Sequence, residues 1–168
     1  MISPRLRELI EAARATLPEV EDWEMLNSLP RPASRPPAIE APADYIELLQ
    51  ITDGLGCGRI VVFDAKFVAR SQFYTEVPVD APVDLNPTDW FCFGTNSDEP
   101  LLIQRATGAV HGFPDTGVEW ARSDRFEQFA PSLDEFLTDH VFGPGYPALA
   151  GVDDDEWSQV LRRLRRLS

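Results

Sequence analysis

Two histidines, two cysteines and two short acidic runs are the side chains in this sequence with the most chemistry to offer. General acid–base or nucleophilic catalysis needs a histidine, carboxylate or thiol within hydrogen-bond reach of the group that activates it. His111 lies in an apolar run that reads as a strand, and His140 falls on the apolar face of a helical pattern. Each reads most simply as a packed or surface side chain, and no Ser/His/Asp or Cys/His arrangement follows from local spacing. Cys57 and Cys92 stand apart in glycine-rich or apolar settings, with no C-x-x-C and no His/Cys group at ligand spacing. They read as reduced, buried small hydrophobes. Asp153-Asp154-Asp155-Glu156 lacks the spacing of a calcium loop and suits a helix N-terminus instead. The glycine-rich stretch Asp53-Gly54-Leu55-Gly56-Cys57-Gly58 has no GK[ST] and no strand-then-helix order, so it reads as a helix C-cap and turn rather than a phosphate cradle. The expectation is a chain without catalytic residues, metal ligands or cofactor.

The elements that would position these residues alternate between helical and strand-like patterns. Ser3 can cap a helix from Pro4 to Leu17, with Leu6, Leu9, Ile10, Ala13 and Leu17 along one face. Pro18 predicts an exit there. Trp23, Met25 and Leu26 are expected to anchor a short turn onto the core. Leu29 to Pro37 is proline-rich and reads as an extended surface connection, the best candidate for an internal linker. A second helix is predicted from Pro42 to about Thr52, with Tyr45, Leu48, Leu49 and Thr52 on one face. Arg59 to Phe63 is a β-branched run whose near-continuous apolar character predicts a strand buried on both faces. Lys66 to Thr88 fits neither period and reads as a short helix or turn followed by a loop.

Trp90 to Phe113 reads as a three-stranded meander. Its strands are Trp90–Phe93, Leu101–Ile103 and Ala109–Phe113, and its turns fall at Gly94–Asp98 and Ala106–Gly108. Pro114 to Gly117 is a turn, and Val118–Arg122 and Arg125–Ala130 read as a short strand and its successor. Ser132 and Glu135 form a capping box for a helix carrying Leu133, Phe136, Leu137, His140 and Val141 on its apolar face. The last helix starts after Asp155 and ends in Arg162, Arg163, Arg165 and Arg166, matching the helix dipole at both ends. The pattern predicts an α+β domain.

Length and charge bound the function. The 168 residues suit one domain. No apolar run approaches the ~20 residues of a membrane span, and the charge-dotted N-terminus is unlike a secretory signal, so a cytoplasmic location is expected. Residues 1–41 carry seven acids against five bases (−2), residues 42–156 twenty-one against six (−15), and residues 157–168 four arginines alone (+4), within a net charge of −13. A core this acidic repels nucleic acid and anionic membranes, because both are bound by Lys and Arg. A basic protein would instead be attracted, while solubility alone accounts for such acidity equally well.

The order of these features resembles a known family. Pro42, Tyr45, Leu48 and Leu49 form a P-x-x-Y-x-x-L-L helix that ends in the Asp53-Gly54 turn. A strand follows, then a W-x-x-F-G strand (Trp90, Phe93, Gly94), a D-x-x-L-L-I strand from Asp98, a glycine turn at Gly108 and a Ser132–Leu137 helix. From Pro42 to Val141 this resembles the SUKH superfamily, which includes a yeast cell-wall-synthesis regulator and many bacterial toxin-immunity proteins. Lys66 to Thr88 departs from the clear helix of that pattern. The resemblance implies an α+β fold with a single mixed, mainly antiparallel sheet packed by helices in a core (42–141), to which an N-terminal helix and proline-rich connection (1–41) and a C-terminal extension with its own helix (142–168) are added, and it implies a non-enzymatic, protein-binding domain. Its foremost reading is an immunity protein that neutralises a cognate toxin, such as a nuclease, by occupying a basic surface. A regulatory adaptor of the same fold is the alternative, and an enzyme a distant one. Exposed acids and aromatics in the turns are the expected partner contacts: Asp64, Tyr74, Glu76, Asp98, Glu99, Asp115 and Glu119.

Overall fold

Six short strands run antiparallel in chain order: β1 (Leu55–Cys57), β2 (Ile60–Val62), β3 (Trp90–Asn96), β4 (Glu99–Gln104), β5 (Val110–Gly112) and β6 (Glu127–Ala130). The computed structural model describes every residue from Met1 to Ser168. The expected α+β class holds, and the sheet is antiparallel throughout rather than mixed. The short β1–β2, β3–β4 and β4–β5 connections require this, because a parallel neighbour needs a crossover of a dozen or more residues.

The predicted meander is β3–β4–β5, with one difference at its first turn. Gly94, Thr95 and Asn96 are strand residues, paired with Val62, Val61 and Ile60 on one side and with Leu101, Pro100 and Glu99 on the other. Only Ser97 and Asp98 turn the chain, at φ of 48° and 71°. Two positive φ values are the requirement of a tight hairpin whose twist matches its strands. Gly94 is needed where it stands, since a Cβ there would lie 2.1 Å from the Val61 carbonyl oxygen.

Alternation along the strands divides the side chains between two cores. Phe91, Phe93, Leu101, Ile103 and Val110 meet the helices in the main core. Cys92, Leu102, Phe113 and Leu85 form a smaller core on the opposite face, covered by Tyr74, Trp90, Trp120 and Phe126. Both cysteines are free and buried. The strand predicted at Arg59–Phe63 is only half as enclosed as its composition suggests: Ile60 and Val62 are buried, but Val61 is 41% exposed. The smaller core does not extend that far toward the β1 edge.

The helices are α1 (Pro4–Thr16), α2 (Ala43–Leu49), α3 (Leu133–Phe136), α4 (Tyr146–Ala150) and α5 (Glu156–Arg163). Ser3 Oγ caps α1 by accepting from Leu6 N at 3.1 Å, and Leu6, Ile10 and Ala13 are fully buried. Burial of Leu6 and Ile10 contributes roughly 1.5–3 kcal/mol each. α1 ends at Thr16 as Pro18 predicts, and Pro18 itself sits early in a 3₁₀ turn, Leu17–Glu19, where its missing N–H costs nothing. Tyr45, Leu48, Leu49 and Thr52 are buried together as the α2 pattern predicts. Ser132 caps α3 through Glu135 N, but the reciprocal half of the expected box is absent. Asp134 accepts from Ser3 N instead, tying the start of α1 to α3. Leu137–Val141 continues α3 as a π turn. Asp155 caps α5 by accepting from Ser158 N.

Three other expectations change. The proline-rich segment is no free tether: Arg14 donates to the carbonyls of Leu29 and Pro30, Ala33 N donates to Leu49 O, and Ser28 pairs with Gly56. Of the residues expected to anchor the turn before it, only Trp23 packs, whereas Met25 and Leu26 are exposed. The strand predicted at Val118–Arg122 is instead an exposed Val118 followed by a 3₁₀ turn, Trp120–Arg122. Within Lys66–Thr88 the short helix is 3₁₀, Val68–Thr75. The glycine-rich stretch is more than a cap, since its Leu55–Cys57 forms β1. No helix is long and apolar enough to cross a membrane.

Candidate functional site

Where the β3–β4 hairpin ends, the sheet meets α4 and leaves a cleft of about 530 Å³. Each wall has a local cause. Arg59 enters from the β1–β2 turn, which is held by Gly58 N donating to Asn27 Oδ1 and by Arg59 N donating to the Tyr146 hydroxyl. Tyr146 in turn donates to Asp155 Oδ2 at 2.6 Å, so the caps of α4 and α5 and the β1–β2 turn are joined. Asn96, the last residue of β3, donates from Nδ2 to Leu149 O at 2.9 Å and fixes α4 against the hairpin end. Gly112 leaves room for Phe129 to lie across β5, since a Cβ there would fall 2.3 Å from the Phe129 ring. Phe113, Phe129 and Leu149 supply the apolar lining.

Carboxylates occupy the rim. Glu99 begins β4, Asp115 lies in the β5–β6 connection and Glu127 begins β6. Glu127 is neutralised by Arg125. Glu99 and Asp115 have no ion-pair partner; Asp115 Oδ1 accepts only from Gly117 N, at 3.0 Å. Partial burial raises the Glu99 carboxyl above the usual glutamate range, and the Asp115 charge adds to the rise. His140 reaches the same cleft with Nε2 donating to the Phe129 carbonyl at 3.2 Å.

Of the seven partner contacts read from the sequence, only Glu99 and Asp115 line this cleft. Asp98 is exposed beside it at the hairpin tip. Tyr74 is half-buried, stacked on Phe73 at 4.2 Å and tilted against Trp120 at 5.6 Å. Burial raises its phenol, with smaller contributions from Cys92 and Asp98. Asp64 lines a different groove with Val61, Phe63 and Phe67, and its Oδ1 accepts from Phe67 N to start the 3₁₀ helix. Glu119 faces Arg122 across 3.9 Å in a third depression, and Glu76 is exposed where the 3₁₀ helix ends. Arg59, Glu127 and the aromatic lining have no local signal in the sequence, because strand register and the placement of α4 bring them in. Only the alternation of β6, Glu127 and Phe129 on one side, hinted at the last two.

The remaining reactive groups are elsewhere. His111 belongs to the smaller core, edge-on to Trp90 at 4.9 Å and stacked on Phe126 at 5.2 Å. Its Nδ1 is buried without a partner, and burial lowers its pKa against a weaker upward pull from the Ala109 backbone. Burial pushes the Cys92 thiol up to about 12 and Cys57 well above its usual value. No group of three or more His, Cys, Asp or Glu side chains is arranged to hold a metal ion. Three of the four terminal arginines are engaged internally: Arg162 with Asp154, Arg163 with Glu19, and Arg166 with the Phe142 and Thr138 carbonyls. No protein-family model matches the chain, and no curated protein matches it.

Proposed function

We propose that this chain is a SUKH-type protein-binding domain that neutralises a basic protein partner, most simply as the immunity protein of a cognate toxin. The observation that carries the reading is the pair of unpaired carboxylates, Glu99 and Asp115, set around a concave, partly apolar end of the sheet with Asp98 exposed beside them. Carboxylates left without internal partners are free to pair with a visitor. They stand in a segment, residues 42–156, where acids outnumber bases by twenty-one to six. Such a surface steers basic proteins toward it and competes for the sites where they would bind phosphate. A single sheet packed by helices, which the resemblance implies, is consistent with the reading.

Co-expression with the product of the neighbouring gene tests it. The expected outcome is relief of growth arrest, a complex that survives purification, and weaker, less salt-dependent binding when Asp98 and Glu99 are reversed to lysine. Persistent arrest with no complex would remove the immunity reading. A stable complex with a partner that is not toxic would favour the adaptor role instead.

A further inference from the structure

We infer that this chain pairs with a second copy of itself through the exposed face of the 3₁₀ helix Val68–Thr75, in an antiparallel contact across a two-fold axis. Side chains three apart eclipse one another in a 3₁₀ helix, so every third residue falls on one straight stripe. Here that stripe is Phe67, Arg70, Phe73 and Glu76, running from one cap of the helix to the other, and all four are exposed. Phe67 and Phe73 are 47% and 57% exposed. Val61 extends the apolar surface, since it lines one groove with Phe67. The helix beneath is firmly held: Gln72 Nε2 donates to the Cys92 carbonyl at 2.7 Å, Gln72 Oε1 accepts from Cys92 N at 3.0 Å, and Asp64 Oδ1 accepts from Phe67 N at 2.8 Å. Aromatic rings left in water on an anchored element mark a contact surface.

Charge selects the occupant. Residues 42–156 hold twenty-one acids against six bases, yet residues 59–76 hold three bases, Arg59, Lys66 and Arg70, against two acids, Asp64 and Glu76. None of these bases has an ion-pair partner within the chain, and neither has Glu76. A basic protein drawn to the acidic core is therefore not favoured on this face, and the inference stands apart from the function proposed above. A second copy is matched residue by residue. With the two stripes antiparallel and the two-fold axis between Arg70 and Phe73, Arg70 meets the Phe73 ring of the second copy, Glu76 meets the second copy's Lys66–Phe67 end, and each contact is made twice. Lys66 Nζ lies 5.6 Å from the Phe67 ring centroid, which puts the ammonium beside that end of the stripe. Guanidinium on an aromatic face and lysine against glutamate are both favourable pairings. A parallel overlay would set Arg70 against Arg70 and Glu76 against Glu76, which like charge opposes. The stripe is about 18 Å long at the rise of a 3₁₀ helix. A contact of that length is at the small end of protein interfaces, so the dimer should be a micromolar one.

Sedimentation velocity of the full chain across the micromolar range tests the pairing. A concentration-dependent equilibrium between monomer and dimer is expected, with nothing larger. Lys66→Glu and Glu76→Lys should each weaken the dimer about tenfold, although they move the net charge in opposite directions. The chain carrying both changes should recover the parent's dimerisation. Phe73→Ala should weaken the dimer at least as much. Val118→Ala, which truncates an exposed apolar side chain on another element, should leave it unchanged. Lys66, Phe73 and Glu76 are all exposed, so these changes should leave the fold intact. A chain that stays monomeric, whether the stripe remains bare or another protein occupies it, overturns the inference. So do assemblies larger than a dimer, a dimer indifferent to Phe73→Ala, or a double variant that dimerises no better than either single one.

Discussion

His111 illustrates how a residue's strand context can be legible while its physical situation stays hidden. Its strand context was readable, but not the Trp90 and Phe126 rings that enclose it or the Nδ1 left without a partner, because those come from a neighbouring strand and a loop. Enclosure lowers its pKa below the ordinary value of 6.5. Between the folded value and 6.5 the unfolded chain binds more protons than the folded one, so stability is full above that window and declines as pH falls through it. His111→Phe keeps an aromatic ring in the box and removes the titration. In thermal unfolding followed from pH 7.5 down to pH 5, the wild type should lose midpoint faster than His111→Phe, since the carboxylates common to both cancel. Parallel profiles would show that this imidazole is not desolvated in the folded state. The same limit applied to the candidate site. Glu99 and Asp115 could be chosen as turn acids, but their convergence with Arg59 and Phe129 depends on the register of five strands.

Elements with a complete local signal were the legible ones. α1 carries its cap, its proline and its apolar stripe within one segment, and α5 brings Asp155 at one end and arginines at the other. The edge strands had no such signal: β1 hides in a glycine-rich run, and Val61 of β2 is exposed although its composition reads as buried. The first meander turn was read too long because Gly94, Thr95 and Asn96 are ordinary turn residues by type; pairing on both sides keeps them in β3. This gives opposite expectations for two adjacent changes. Ser97 and Asp98 hold positive φ at a cost near 1 kcal/mol per residue, which Asn-Gly would relieve. Ser97→Asn with Asp98→Gly should therefore raise the melting temperature by up to about 4–8 °C. Gly94→Ala, three residues earlier, forces a Cβ against the Val61 backbone and should cost more than about 3 kcal/mol, with loss of β2–β3 pairing in hydrogen exchange. A tolerated Gly94→Ala would mean that β2 can shift away from β3 at little cost.

At the scale of the molecule, the segments that the family pattern treats as additions share one core with the rest. Leu6, Ile10 and Ala13 from α1 and Trp157, Val160 and Leu161 from α5 are all fully buried, in the same cluster as Tyr45, Phe91 and Leu133. Trp157 is the largest of them. It packs edge-on against Phe142 at 5.2 Å, and its Nε1 donates to the Val141 carbonyl at 2.6 Å, so it closes the end of the π turn after α3. Removing both terminal helices would expose the sheet's main apolar face, leaving a 42–141 fragment without the burial that offsets its chain entropy. That fragment should show no cooperative urea transition, whereas the full chain should show one. Trp157→Ala in the full chain, with a large cavity and an unpaired carbonyl left behind, should cost about 3–5 kcal/mol and lower the urea midpoint without changing the slope. A cooperatively folded 42–141 fragment would show that the resemblance marks the whole folding unit and that the terminal helices are attachments. Its failure to fold would make those helices part of the structure that holds α4 against the hairpin, and so part of what keeps the cleft open to a partner.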